Sequence, residues 1–174
     1  MAIACCDSRV NVTSLFEADH GEFFIHRNIA NLVPPFAPGS DPHGTTAAVE
    51  YAVNVLQVAH LIVMGHTQCG GVKGCLEMCK GNAPELEKED SFVGRWMEIL
   101  KPKYPDVADI SDEFEQERQF EKLAVQTSIE NLFSYPFVKA RHSEGSLSLH
   151  GLLVDIRTGD LEAYMPETGD FQPV

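Results

Sequence analysis

The feature that constrains the fold most is the apolar stretch HLIVMG at residues 60–65. An unbroken apolar run of this length is typical of a strand that is buried on both faces of a parallel sheet. It leads directly into His66 and then into CGGVKGCLEM, which has the spacing of a helix. Because parallel strands need crossover connections, usually helices, this order predicts an α/β fold.

The first third of the chain shows the same alternation of strand and helix. AIAC at residues 2–5 predicts a buried strand, VTSLFEAD a short helix, and EFFIHRNIANLV a second strand that ends before Pro34. TTAAVEYAVNVL predicts a helix that packs on the sheet. The residues expected on its buried face are Ala48, Val49, Ala52, Val53 and Leu56.

The second half is less regular. Residues 80–118 are acidic and polar, which favours an insertion of solvated helices. KLAVQTSIENLFSYPFV then predicts one more amphipathic helix, and LSLHGLLVDIRTGDLEAY predicts two strands around a turn at Thr158-Gly159-Asp160. We therefore expect a single domain over residues 1–174, with a mainly parallel β-sheet flanked by helices.

Composition excludes several classes of partner. Acidic residues outnumber basic ones by 26 to 13, and a net charge of -13 repels both nucleic acid and anionic membranes. No apolar run approaches the roughly 20 residues that span a bilayer, and a signal-peptide pattern is missing from the start. The five cysteines lack the spacing of a disulfide framework. We expect a cytoplasmic protein with reduced or metal-bound thiols, or an organellar one if a targeting segment is missing.

Cys5, His66 and Cys69 predict a zinc site at the carboxyl ends of the strands. Catalytic zinc takes thiolate and imidazole ligands from three residues and keeps a fourth position for water. His66 and Cys69 flank a strand-to-helix turn, and Cys5 ends a neighbouring strand, where open α/β sheets bind ligands. In an extended strand Asp7 and Arg9 would share the face of Cys5. Taken singly, the cysteines also fit buried apolar packing and His66 fits a loop histidine.

Two motifs resemble the signatures of the β-class carbonic anhydrases: residues 5–10, CCDSRV, and residues 65–71, GHTQCGG, in the same order. GEFFIHRNIANLVPP, AVEYAVNVLQV and LFSYPFV resemble other segments of that family. The resemblance implies a Zn²⁺ enzyme that reversibly hydrates carbon dioxide to bicarbonate and a proton through zinc-bound hydroxide. It also implies a homodimer or a multiple of dimers.

The resemblance further implies roles for residues beside the metal. Asp7 would accept a hydrogen bond from the zinc-bound hydroxide, and Arg9 would hold Asp7 in place. Some relatives instead close the site by placing this aspartate on zinc, and one subgroup does so when bicarbonate binds a separate pocket. Here Ala2 and Val154 replace the tryptophan and tyrosine of that pocket, although Arg27 is present, so we hypothesise an open site without bicarbonate-driven closure.

The family's substrate pocket matches Phe24, Ile29, Tyr51 and Gly70, at an interface between subunits. The first three residues fit core packing equally well, and Gly70 fits tight helix packing. Relatives carry some tens of residues before the first motif, including a helical arm that we expect this domain to lack. Two other functions stay open: a carbonyl sulfide or carbon disulfide hydrolase of the same fold, and a non-catalytic zinc-binding scaffold subunit.

Overall fold

The computed structural model describes residues 1–39 and 43–174. One sheet of six strands has the order β2-β1-β3-β4-β5-β6, parallel from β2 to β4 and antiparallel from β4 to β6. This confirms the mainly parallel sheet. The strands are β1 Ala2–Cys5, β2 Ile25–Asn28, β3 His60–His66, β4 Ser148–Val154, β5 Leu161–Met165 and β6 Asp170–Pro173.

Helices connect the parallel strands and cover the sheet, as the alternation predicts. They are α1 Val12–Leu15, α2 Gly44–Glu50, α3 Gly70–Cys79, α4 Phe92–Met97, α5 Glu113–Leu132 and α6 Pro136–Ser143. Two short 3₁₀ segments occupy Ile29–Asn31 and Lys101–Asp106. Within the described ranges, none of the helices is long and apolar enough to cross a membrane.

The helix predicted from TTAAVEYAVNVL continues from α2 as a π-helical segment over Tyr51–Val55. Val49, Ala52 and Val53 are buried against the sheet as expected. Leu56 is 46% exposed, so its placement on the buried face was wrong. The cause is the wider turn: the Leu56 N–H donates to the Tyr51 carbonyl five residues back, which shifts the helical face.

Helix α5 is the central element of the core. Asp112 caps it by accepting the Glu115 N–H at 2.8 Å, and one side of the helix buries Val125, Ile129 and Leu132 against the sheet. The predicted amphipathic segment is in fact two helices, because Pro136 starts α6 where its missing N–H costs nothing.

The expectation of a solvated insertion over residues 80–118 was only partly right. Met97, Leu100 and Val107 are buried, and they form an apolar cluster with Leu76 of α3 and Phe120 of α5. These few buried residues were not predicted, because acidic residues dominate the composition of the segment. The insertion therefore supports the carboxyl end of the sheet, where α3 begins.

Candidate metal centre

Three residues with metal-binding side chains meet at the carboxyl ends of β1 and β3. Cys5 ends β1, His66 ends β3, and Cys69 caps the start of α3. The two strands are parallel neighbours, so their carboxyl ends lie at the same edge. The three ligand atoms lie within 4.8 Å of one another, the two sulfurs are 4.0 Å apart, and all three residues are buried. The group fits a site for one metal ion.

The imidazole of His66 is oriented for coordination. Its Nδ1 lies 2.9 Å from the Thr67 carbonyl oxygen, which only accepts hydrogen bonds, so Nδ1 carries the proton. Nε2 is then a free acceptor, buried and without a hydrogen-bond partner among the described residues. A buried acceptor of this kind is costly unless it binds something, and a metal ion beside two sulfurs satisfies it.

The two thiols influence each other strongly. The hydrogen bond from Cys69 lowers the pKa of the Cys5 thiol, and the same bond together with burial raises the pKa of Cys69. A thiol that donates to a neighbouring thiolate stabilises that thiolate and resists losing its own proton, and ionising both sulfurs would place two negative charges 4.0 Å apart. A divalent cation removes this repulsion, so the pair ionises fully only as metal ligands.

Asp7 and Arg9 form an ion pair beside the cysteines, but not as residues of an extended strand. Strand β1 ends at Cys5, and the Val10 N–H donates to the Asp7 carbonyl in a turn. Arg9 donates to Asp7 Oδ1 from its backbone N–H and Nε, both at 2.9 Å, and to Oδ2 from Nη2 at 2.6 Å. These hydrogen bonds hold the pKa of Asp7 well below its usual range.

The loop that carries Asp7 is fixed from two further directions. Arg9 Nη2 also donates to the Gln68 carbonyl at 3.2 Å, next to Cys69. Arg27 donates to the Cys5 carbonyl at 2.9 Å and to the Asp7 carbonyl at 2.6 Å. From the sequence, Arg27 was noted only as an anion donor, and its backbone contacts depend on pairing between β1 and β2.

Glu121 of α5 is a site residue that the sequence reasoning missed. Its Oε1 accepts the Cys69 N–H at 3.0 Å, and burial raises the pKa of this carboxyl to about 7. A signal was available, because Glu121 lies one helical turn before Ala124 and Val125 on the buried side of an amphipathic helix. A carboxylate at such a position needs a partner.

The residues matched to a substrate pocket flank β2: Phe24 precedes the strand, whereas Ile29 follows it at the carboxyl end. The rings of Phe24 and Tyr51 are 5.9 Å apart, and Ile29 and Tyr51 are 40% and 49% exposed. Gly70 begins α3 and is also exposed. Its neighbour Gly71 lies so close to Ile29 that an added Cβ would be 2.7 Å from Ile29 Cγ2. Ile29 is therefore packed against the start of the helix that follows Cys69.

Comparison with known proteins gives consistent matches. The sequence model of the carbonic anhydrase family matches residues 1–161. Beta carbonic anhydrase 3 of Arabidopsis thaliana is 37% identical over 169 residues, which are 94% of this chain and 63% of that protein. A chloroplastic relative, beta carbonic anhydrase 5 of the same plant, is 36% identical over 87% of this chain and 49% of its own length. The chain thus spans about half to two thirds of these relatives.

Solved structures agree with the sequence matches. The β-carbonic anhydrase CcaA superposes with a TM-score of 0.88 at 30% identity, over 99% of this chain and 76% of that one. A chain from the crystal structures of two tetrameric β-carbonic anhydrases of Sordaria macrospora superposes with a TM-score of 0.76 at 31% identity. The match covers 93% of this chain and 78% of that chain. The sequence matches, the shared sheet and the Cys-His-Cys group show that the chain belongs to the carbonic anhydrase family, in the β class.

Proposed function

We propose that the protein binds Zn²⁺ through Cys5, His66 and Cys69 and reversibly hydrates carbon dioxide to bicarbonate and a proton. The observation that carries the proposal is a buried Cys-His-Cys triangle with an ion pair two residues beyond one ligand. Zinc in such a site acts as a Lewis acid that lowers the pKa of water to form the nucleophile near neutral pH. In the reaction a water oxygen forms a bond to the carbon, and one proton is released.

The Asp7–Arg9 pair orients the attacking water. An ionised carboxylate offers about four acceptor positions. The three hydrogen bonds from Arg9 use most of them and fix the carboxylate plane. Asp7 then has one position left to accept a hydrogen bond from the water, so that an oxygen lone pair points at carbon dioxide. Two thiolates neutralise the charge of the zinc ion, which makes such orientation more important here than in a site of neutral ligands.

Asp7 stays with Arg9 in the proposed active form, and the site does not close when bicarbonate is added. Ala2 and Val154 are buried apolar residues, and Arg27 is engaged by two backbone carbonyls. The side chains needed to grip a second bicarbonate are therefore lacking or occupied. The hydration rate should rise with pH as a single ionisation. A steep, cooperative loss below about pH 8 that deepens with bicarbonate would contradict the open site.

Phe24, Ile29, Tyr51 and Gly70 line the approach of a nonpolar gas, and a second subunit completes this pocket. Large apolar side chains are exposed on β2, on the 3₁₀ segment that follows it and on the segment after α2, where a partner would cover them: Ile25, Ile29, Tyr51, Val55 and Leu56. The tetrameric relatives support a homodimer or a multiple of it. Light scattering tests the assembly, and a strict monomer at micromolar concentration would contradict it. We place this activity in the cytoplasm or an organelle.

One preparation separates the candidate functions. Zinc content, stopped-flow hydration of carbon dioxide and turnover of carbonyl sulfide are measured on the same sample. The proposal requires about one zinc per chain and carbon dioxide hydration as the faster reaction. Faster turnover of carbonyl sulfide would make the chain a hydrolase of the same fold, and bound zinc without turnover of either substrate would make it a scaffold.

A further inference from the structure

A buried acidic side chain contacts the candidate metal centre from outside the ligand set. Glu121 is 3% exposed and lies on the side of α5 that also buries Phe120 and Ala124. Desolvation of a carboxylate costs several kcal/mol unless hydrogen bonds or charges compensate it. The contacts that compensate this cost are therefore informative.

The contact of Glu121 is with the backbone of a proposed ligand. Glu121 Oε1 accepts the N–H of Cys69 at 3.0 Å. Cys69 caps α3, and Gln68 before it has a left-handed backbone with φ of 55°. Non-glycine residues adopt this conformation at a cost, so the turn needs support from its surroundings. The carboxylate supplies that support across 52 residues of sequence.

Neighbouring cations on α5 are directed elsewhere. Arg118 lies one turn before Glu121, and it donates to Glu162 of β5 at 2.6 Å. Lys122 also lies 3.1 Å from Glu162. Neither residue forms an ion pair with Glu121 in the described part of the chain. The Cys69 N–H is thus the hydrogen-bond partner that defines the position of Glu121.

We propose that Glu121 is a positioning residue for the metal centre. By accepting the Cys69 N–H, it fixes the turn from Gln68 to Cys69 and therefore the direction in which Cys69 Sγ points. This inference rests on the proposed metal site. It assigns to Glu121 a task that depends on the reach of an acceptor oxygen, and not on negative charge.

Two substitutions separate reach from charge. Glu121→Gln keeps an acceptor oxygen at the same distance and removes the charge. Glu121→Asp keeps the charge and withdraws the oxygens by one methylene group, out of hydrogen-bond distance. Glu117→Gln is the matched control, because Glu117 lies one turn earlier on α5 and lines the same small cavity of about 40 Å³. Within the described residues, the Cys69 N–H donates to Glu121 and not to Glu117.

The readouts are the cobalt(II) absorption spectrum and zinc affinity measured by competition with a chelator. Cobalt replaces zinc, and its sulfur charge-transfer and d–d bands report the position of the cysteine ligands. We expect Glu121→Gln and Glu117→Gln to keep the wild-type spectrum and affinity. Glu121→Asp should shift the d–d bands and weaken zinc binding by roughly 10-fold to 100-fold, as substitution of groups that orient metal ligands does.

Thermal unfolding of each variant without metal identifies a merely structural role. If Glu121→Asp lowers stability but keeps the wild-type cobalt spectrum and zinc affinity, the positioning role is wrong. A weakened Glu121→Gln beside a normal Glu121→Asp would also overturn it, because charge would then be the required property. Failure of the wild-type protein to bind cobalt or zinc would instead refute the proposed function, so the two failures are distinguishable.

Discussion

The carboxyl ends of β1 and β3 differ from the antiparallel extension formed by β4, β5 and β6. Near the candidate metal centre, Ala30, Asn31 and Gln68 have left-handed backbones although none is glycine. In the extension, Gly159 and Gly169 take the positive φ angles between β4 and β6, where glycine adopts them at no steric cost. The structure gives two more non-glycine residues a positive φ, Glu17 and Gln57, and neither belongs to the antiparallel extension. Strained non-glycine backbone therefore occurs beside the metal centre and not in the described part of the extension.

Long-range contacts hold the strained turns in place. Trp96 of α4 donates to the Ile29 carbonyl at 2.8 Å, and Ser128 of α5 donates to the Asn31 carbonyl at 3.1 Å. Glu121 accepts the Cys69 N–H at 3.0 Å. Each left-handed residue costs on the order of 1 kcal/mol or more, which the surrounding helices must offset. Such strain marks the end of the sheet where geometry serves a function.

Substitution of a proposed ligand should have the largest effect. Cys5→Ser or Cys69→Ser should remove most of the bound zinc and all hydration activity, because a serine hydroxyl replaces a thiolate that the metal prefers. Metal analysis and stopped-flow assays measure both losses. Cys6→Ser is the control, since Cys6 is exposed and lies outside the ligand group. Full zinc occupancy in Cys69→Ser would refute the ligand assignment.

Asp7→Asn should come next in size. The asparagine keeps the approximate shape of the side chain but loses the charge that binds Arg9, so the water is no longer oriented. We expect zinc content to stay near wild type and the hydration rate to fall by about 10²-fold or more. Wild-type turnover in Asp7→Asn would assign Asp7 a structural role only.

Paired glycine substitutions compare the two regions directly. A Cβ on Gly65 would lie 2.6 Å from Val125 Cγ2, and one on Gly151 of β4 would lie 2.8 Å from Val125 Cγ1. Each alanine variant should therefore lose about 1–3 kcal/mol of unfolding free energy, measured with urea.

The two glycine variants should differ in metal binding. Gly65 precedes His66 and lies close to Asn31, whereas Gly151 is adjacent to β5. We expect weaker zinc binding in Gly65→Ala and wild-type zinc binding in Gly151→Ala. Equal effects on zinc affinity would mean that the metal centre is no more sensitive to backbone shifts than the rest of the sheet.

The smallest effect is expected in the extension, from Glu162→Gln. Burial raises the pKa of Glu162, but the nearby Lys122 ammonium and the Arg118 guanidinium lower this pKa by a larger amount, so the net direction is downward. An acid with a lowered pKa in the folded state stabilises the protein above its unfolded pKa, and this stability is lost as pH falls through the folded pKa.

Urea unfolding at two pH values checks the prediction for Glu162. The variant should lose about 1 kcal/mol or less at pH 7, as partly exposed ion pairs contribute little. The difference should vanish at a pH below the lowered pKa. A loss of stability that grows on acidification would show that the ion pair is not its source. A change in zinc content would show that the antiparallel extension and the metal centre are not independent.

The sequence predicted what depends on local pattern. The apolar stretch at residues 60–65 predicted a buried parallel strand, and Thr158-Gly159-Asp160 predicted the turn between β4 and β5, because periodicity and turn residues act over short distances. Cys5, His66 and Cys69 were found from residue chemistry and spacing. Their convergence in one buried group agrees with that prediction.

What the sequence did not predict depends on contacts between distant residues. The π-helical turn at Tyr51–Val55 and the backbone bonds of Arg27 follow from tertiary packing. The contact between Glu121 and Cys69 likewise joins two elements far apart in the chain. Acidic neighbours hid the buried residues between α4 and α5, since the overall polarity of residues 80–118 outweighed a short apolar pattern.

In the proposed function the Cys-His-Cys group binds zinc, and this zinc is required for carbon dioxide hydration. The most direct test removes the metal with a chelator and restores it by titration, with stopped-flow hydration measured at each step. We expect activity to disappear with the metal and to return in proportion to added zinc, with saturation at one ion per chain. Hydration that persists in the metal-free protein, or zinc that rebinds at one per chain without restoring hydration, would contradict it.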